Sequence, residues 1–583
     1  MYLLIVTRSL VEGSVRLTPR AVIPALVWCC SAPAPDVTPV ATQLDRPVSF
    51  TRDVAPLVFE HCATCHRPTG SAPFSVLSYQ EVKDWAPLIA DAVVQRRMPP
   101  WLPEPGFGTF ANERRLTDNQ IAVMRSWVEQ GAMQGDSADM PPLPQLDDDW
   151  QLGEPDLVVD VPPYTLAPGG GEIYRNIVAP IPVERVRYVR AVELRPGNAK
   201  AVHHARMMVD ATESSRRLDE EDSIPGFNGM DMMSNASNPE GFFIGWTPGK
   251  NPKTERGDLA WRLEPGTDLV LQLHLRPTRM PEVIAAQVGF HFADQPPERS
   301  PALVLLGSFE IDIPAGESDY VVTDEYVIPV DVEVLSVYPH AHYLGKELQG
   351  FARLPNGERK WLIRIMDWDF NWQDDYRFVK PIHLPQGSVM TMRYTYDNSS
   401  DNPQNPSKPP RRVVFGARSV DEMAEMAIQV LPRNRRDLEL LNHSLSQKYN
   451  QEIADYRAGQ EFELGNRAAG DGKLEEAADH YRAALGNRSD DTRVLIGLAR
   501  VLIGLEDIEG AVLVAERAAQ LTERNDPHAM SVLASAYAAA GRMADAARTA
   551  ERARELAEAA GLADLATELR QQVEQYGKAG GRL

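Results

Sequence analysis

Tyr338-Pro339-His340-Ala341-His342-Tyr343-Leu344-Gly345 follows the run Val332-Glu333-Val334-Leu335-Ser336-Val337. The β-branched and aromatic residues of that run favour an extended strand. Side chains on a strand alternate with period two, so His340 and His342 are expected on one face. Neutral imidazole is the commonest protein ligand for copper, zinc and iron. The pair therefore offers two thirds of a metal site, and the rest of the chain has to supply a third ligand.

Outward from this stretch, residues 166 to 435 read as all-β. Short β-rich runs are separated by Pro/Gly turns: Val186 to Leu194, Leu269 to Leu275, Ala286 to Phe292, Tyr326 to Tyr338 and Val389 to Tyr396. That pattern suits sandwiches, and roughly 270 residues suit two of them side by side. Residues 136 to 165, acidic and proline-rich, mark a boundary before them. From Phe50 to Gly135 the pattern is helical, with an amphipathic helix expected from Asp84 to Arg97. A last helix through Trp127 is capped by Thr117-Asp118-Asn119-Gln120.

The whole chain has 583 residues, 43% hydrophobic and 24% charged. That length exceeds one core and divides into roughly three or four domains. A formal net charge of −22 argues against nucleic acid or an anionic membrane as partner. Near the start, Arg16 and Arg20 precede the apolar run Ala21 to Cys30 and then Ser31-Ala32-Pro33-Ala34. Basic, apolar and small residues in that order read as an export signal, with residues 31 to 47 as a linker. The expected location is periplasmic or extracellular. Cys29 or Cys30 offers a lipid-tether position, against which the bulky Trp28 argues. No other apolar run approaches the ~20 residues of a membrane helix.

Cys62-Ala63-Thr64-Cys65-His66 is C-x-x-C-H, the attachment motif of a c-type haem. Two thiols add to the haem vinyls, and His66 follows at the spacing of a proximal iron ligand. Met98, beside Pro99 and Pro100, is the expected second axial ligand, with Met124 and Met133 as alternatives. A thioether opposite histidine raises the reduction potential. It also leaves the iron no open position, so this domain is expected to carry electrons.

Past Arg433 the chain turns alanine-rich and repeats. Ala477, Ala511 and Ala546 stand in the same turn motif, 34 and 35 residues apart. That is the tetratricopeptide period, and three repeats plus a final helix predict a short solenoid on which a protein partner docks. A plain helical cap on the sandwich is the alternative.

Further candidate ligands lie in Val202-His203-His204-Ala205, in Gln272-Leu273-His274 and in Asp421-Glu422-Met423. Adjacent histidines on a regular strand point opposite ways, so His203 and His204 share a metal only at a bend or strand end. Taken singly, these motifs support a metal site of open identity.

Together they resemble the copper type II, ascorbate-dependent monooxygenases, the family of peptidylglycine hydroxylating monooxygenase and dopamine β-monooxygenase. In that family a His-His pair and a later histidine on a Q-x-H strand hold one copper. A His-x-His pair and the methionine of a D-E-M segment hold the second. The corresponding residues occur here in the family's order: His203, His204 and His274, then His340, His342 and Met423. The resemblance covers about residues 155 to 435. It implies two copper-binding jelly-roll domains whose sites face a solvent cleft, and hydroxylation of an aliphatic C–H bond by O2. Oxygen would react at the His340/His342/Met423 copper, with a second electron from the other copper. Three imidazoles suit electron transfer, and two imidazoles with a thioether favour Cu(I).

Departures narrow the substrate. Peptide-hydroxylating members carry an arginine where Tyr338 stands, and asparagine and tyrosine where Glu425 and Ala427 stand. The clamp for a peptide carboxylate is absent, so the organic substrate is open. The fusion places a haem where the animal enzymes use ascorbate, implying haem-fed copper recharged by an external electron donor. The expected layout is 1-46 export signal and linker, 47-140 cytochrome c domain, 155-300 and 301-435 copper sandwiches, and 455-578 tetratricopeptide repeats. A non-catalytic copper/haem electron-transfer or sensor protein, docking partners through its repeats, is the alternative. A zinc hydrolase using Glu425 as base is a third.

Overall fold

The computed structural model describes residues 46–68, 70–111, 113–144, 150–229, 236–248, 250, 252, 259–416 and 418–580. The export-signal reading, with Arg16, Arg20, Cys29 and Cys30, lies outside them. No helix of the described residues is long and apolar enough to cross a membrane.

The first helical region packs Phe50, Val58, Met124 and Trp127 into one core. Thr117 and Gln120 close a reciprocal capping box at the start of helix Asp118–Glu129. The continuous helix expected from Asp84 to Arg97 is instead broken. Tyr79–Asp84 ends at Trp85, and Ala86–Val94 starts afresh with a proline in its first turn. Pro87 lacks the N–H that a continuing helix would use, whereas a first turn has no need of it. Beyond Met98, the segment through residue 111 leaves this core and pairs with the β region. Glu104 N–H donates to the Arg364 carbonyl at 2.7 Å, and Val379 N–H donates to Thr109 at 2.9 Å.

The middle of the chain is β-rich, with antiparallel pairing throughout its named ladders. A five-stranded sheet orders Phe227–Asn228, Ile173–Pro180, Asp268–Leu275, Val202–Asp210 and Ile244–Trp246. It shares an apolar core with a four-stranded sheet built on Arg187–Arg195 and Gln287–Phe292. Two further four-stranded sheets share a second core. One centres on Glu425–Pro432 and Val332–His340, the other on Val389–Tyr396 and Gly345–Arg353. The run expected as one strand from Tyr326 to Tyr338 is two. Tyr320–Val327 belongs to one sheet and Val332–His340 to the facing one. Pro329 has no N–H for a ladder, and the chain turns there.

Two bulges decide which way the histidines point. On Val332–His340 the register shifts between Val334 and Ser336. Val332 and Val334 enter the second core, Leu335 enters the first, and Val337 re-enters the second. Without the extra residue His340, an even position like Val334, would point into the apolar core. On Val202–Asp210 the shift lies between Val202 and His204. Val202, then Ala205 and Met207, face the first core, so His204 turns to the opposite face.

The C-terminal region is helical. Leu441 of the long helix Arg435–Gly470 is buried in the second β core. Leu474–Asn487, Thr492–Gly504, Ile508–Leu521, Pro527–Ala539, Met543–Ala559 and Ala563–Gly580 follow, joined by short turns. Ala477, Ala511 and Ala546 are fully buried where neighbouring helices meet.

Candidate metal and haem sites

His203, His204 and His274 converge. Strand pairing puts His204 opposite His274, and the bulge swings the neighbouring His203 to the same side. The Nδ1 atoms stand 3.1 Å apart for His203–His274 and 3.3 Å apart for the other two pairs. Nitrogens bound to one tetrahedral ion at about 2.0–2.1 Å lie about 3.3–3.4 Å from each other. Three imidazole nitrogens facing one another cannot all be satisfied by mutual hydrogen bonds, because each neutral ring brings one proton. The separations and the donor set therefore suit a single cation. Burial pushes His203 down to about 3 and His204 well below its ordinary value, so both rings are neutral near pH 7.

Residues beyond the three fix their orientation. His274 Nε2 donates to Glu172 at 2.9 Å, leaving its Nδ1 lone pair for the cluster. Tyr174 stacks on His274 with ring centroids 4.3 Å apart. Glu172 also accepts from Arg276 Nε at 2.9 Å. Burial works to raise the Glu172 carboxyl, but His274 and Arg276 outweigh it and hold it at about 2.

His340 closes its strand and His342 lies just beyond it, not on it. Ala341 between them points into the second core, so both rings still emerge on the same side, with centroids 5.2 Å apart. His342 Nδ1 donates to the Asp421 carbonyl at 3.1 Å, and its Nε2 is buried with no hydrogen-bond partner. His340 Nδ1 donates to Gln373, which leaves its Nε2 as the acceptor. Burial, and then the neighbouring His340, push His342 down to about 3.

Met423 joins this pair through its backbone. The buried Glu422 carboxyl group accepts the N–H groups of His342, of Leu344 at 3.0 Å and of Met423 at 2.9 Å, and burial pushes it up to about 8 against those bonds. Tyr396 donates to the Met423 carbonyl at 2.8 Å. A cavity of ≈50 Å³ lined by His204, His340 and His342 takes in Glu425 from this strand rather than Met423.

Among the described residues His204 of the first histidine group shares that small cavity with His340 and His342. Phe370, fully buried, fills the space between the two groups. Its ring centroid lies 5.9 Å from His203, 6.3 Å from His274 and 5.4 Å from His342.

A second cavity, of ≈500 Å³, is lined by Cys62, Cys65, His66 and Met98 together with Val58, Leu88 and Ile89. Its size and apolar walls suit a flat, organic group. Cys62 and Cys65 are free thiols, and burial pushes Cys62 up to about 12. His66 Nδ1 donates to the Phe74 carbonyl at 3.1 Å, leaving Nε2 as the ligand atom. Of the alternative sulfurs, Met124 is packed in the helical core and Met133 is exposed, and neither lines the cavity. Residues that could hold a haem are therefore Cys62, Cys65, His66 and Met98.

Glu172, Gln373 and Phe370 escaped sequence reasoning. Glu172 follows Gly169-Gly170-Gly171 with no motif around it, and its partner His274 is 102 residues away. No protein-family model matches the chain, and no curated protein matches it. Solved structures give partial likenesses. The first tetratricopeptide domain of Spaghetti (RPAP3) bound to an HSP90 peptide is 21% identical, covering 22% of this chain and 95% of that one, with TM-score 0.20. The TPR2B domain of yeast Sti1 in its pHsp70 complex is 20% identical, covering 21% and 97%, with TM-score 0.20. PcrH from Pseudomonas aeruginosa is 24% identical, covering 21% and 91%, with TM-score 0.20.

Proposed function

We propose that the chain is an exported copper-dependent monooxygenase that hydroxylates an aliphatic C–H bond with O2, drawing electrons through its own c-type haem. On this reading residues 47–140 are a cytochrome c domain, residues 155–300 and 301–435 are jelly-roll copper domains, and residues 455–578 are a tetratricopeptide docking module. The observation that carries it is the convergence of five imidazoles from three separate stretches beside one haem-sized cavity.

Bound copper would supply one-electron chemistry and oxygen activation. His203, His204 and His274 would hold one ion through Nδ1. His340 and His342 would hold the other through Nε2, with Met423 as the third donor. Gln373 and the Asp421 carbonyl keep the protons of His340 and His342 on Nδ1, away from the ligand atoms. Glu172 does the reverse for His274, holding its proton on Nε2. Glu422 ties the backbone of His342 to that of Met423. Phe370 excludes water between the groups.

The ≈50 Å³ cavity favours a second reading. So small a space beside His204, His340 and His342 suits water or O2 better than an organic substrate, as a non-catalytic copper/haem carrier would require. Stopped-flow mixing of reduced, copper-loaded protein with O2 tests the proposal. Haem oxidation without added ascorbate, together with O2 uptake matched by hydroxylated product, is the expected result. A haem that stays reduced after O2 is added, with product formed only once ascorbate is supplied, removes the haem-fed mechanism, and O2 uptake without product leaves the carrier.

A further inference from the structure

The cavity that holds Cys62, Cys65, His66 and Met98 is closed on its far side by the β region. Val202, His203, Arg276, Asn371 and Trp372 line that wall. His203 therefore serves two places. Its Nδ1 belongs to the three-histidine cluster, while its Nε2 is buried without a hydrogen-bond partner. Arg276 also reaches both. It lines the cavity, donates to Asn371 at 2.9 Å, and pairs with Glu172, which accepts from His274. A continuous hydrogen-bonded line, Arg276–Glu172–His274, thus runs from the cavity wall to the cluster, parallel to His203.

We infer that haem cavity and three-histidine cluster are one electrostatic unit, in which cation occupancy of the cluster and the oxidation state of the haem are reciprocally linked. Arg276 and Glu172 are the positioning residues that set the linkage. This rests on the reading proposed above. Oxidised haem carries one more positive charge than reduced haem. A divalent cation held by His203, one side chain away from the cavity, disfavours that extra charge in a low-dielectric wall. Occupancy therefore favours the reduced haem, and by linkage the reduced haem binds the cation more tightly. Arg276 acts in the same direction as the cation, and Glu172 opposes both. The redox half-step is Fe(III) plus one electron to Fe(II), with the electron supplied by dithionite through mediators.

The test is a spectroelectrochemical titration of the full-length haem protein with and without Zn(II), which binds imidazoles but takes no electron. Wild type is expected to bind Zn(II) at the cluster about tenfold more tightly with reduced haem, equivalent to a rise in haem midpoint of about 59 mV. His274→Ala is expected to abolish the shift. In zinc-free protein Arg276→Leu is expected to lower the midpoint and Glu172→Gln to raise it. Glu172→Gln also weakens zinc about 10–100-fold. A midpoint unmoved by stoichiometric zinc, or a shift that survives in His274→Ala, overturns the linkage. A wild-type chain that matures without haem at Cys62 and Cys65 overturns it as well. Failure here alongside copper-dependent, product-coupled O2 uptake leaves the monooxygenase reading standing. A zinc-dependent shift in a protein without hydroxylated product separates the two the other way.

Discussion

Removing the Glu422 carboxyl group strips three backbone N–H groups of their acceptor at once: the buried ones of His342 and Leu344 and the half-buried one of Met423. Each buried donor left unpaired costs about 1–3 kcal/mol. Allowing for relaxation, Glu422→Ala is expected to lose about 3–6 kcal/mol, a large part of a domain's ~5–15 kcal/mol. Glu422→Gln keeps the volume and one acceptor oxygen but turns an amide N–H2 towards a donor, for a loss of about 1–3 kcal/mol. Thermal unfolding read at β-sheet circular dichroism should rank wild type above Gln and Gln above Ala, at about 2–4 °C per kcal/mol. Bound copper should fall from two towards one per chain, because His342 and Met423 lose the tie that holds them together. The haem spectrum should not change. An alanine variant that melts within 1 °C or so of wild type and retains both ions would refute the reasoning.

Four other outcomes follow from the structure together with the proposed function. His203→Ala should lose one copper and keep the other, as read by metal analysis, because His340 and His342 stand on separate strands and turns. Met98→Ala should lower the haem midpoint in a redox titration, since the thioether favours the reduced iron. Asp210 is buried, and although burial works to raise it, hydrogen bonds from Thr212 and Ser215 hold its carboxyl well below the usual range. A depressed folded value contributes stability above the unfolded one and loses it as pH falls. The unfolding free-energy gap between wild type and Asp210→Asn, from urea melts, should therefore be about 1–2 kcal/mol at pH 7 and narrow progressively as pH falls below about 4. Gly465 faces Tyr481, and an added Cβ would lie 2.7 Å from its ring. Gly465→Val should destabilise the C-terminal helices by about 1–3 kcal/mol in denaturant melts, with no change in copper content.

Much of this was legible because the informative residues carry chemistry as well as position. The Cys62–Cys65–His66 spacing marks three residues that line one cavity, and Thr117 with Gln120 announces a helix start. His203 and His204 were harder: period-two alternation sets them on opposite faces, and only the bulge between Val202 and His204 reconciles them. Nothing local marks a bulge, because the extra residue is a matter of pairing with Asp268–Leu275, far along the chain. Leu335 is the same case, since its side chain enters the other core. The orienting groups Glu172 and Gln373 sit in loops, and Phe370 in the single 3-10 turn Phe370–Trp372, with no period to read. Phe370 lies against His203, His274 and His342, and no pattern in its own segment betrays its burial. Repeats at 34 and 35 residues are visible because helix contacts select small side chains at fixed places.

The central claim is that five imidazoles with Met423 hold two ions beside one attached haem. Metal analysis combined with haem quantitation and electron paramagnetic resonance tests it most directly, on protein purified from the exported fraction and oxidised. The account predicts two type II Cu(II) per low-spin haem, with one signal lost in His203→Ala and the other in His342→Ala. Copper absent at stoichiometric level, or both signals surviving both substitutions, would contradict it.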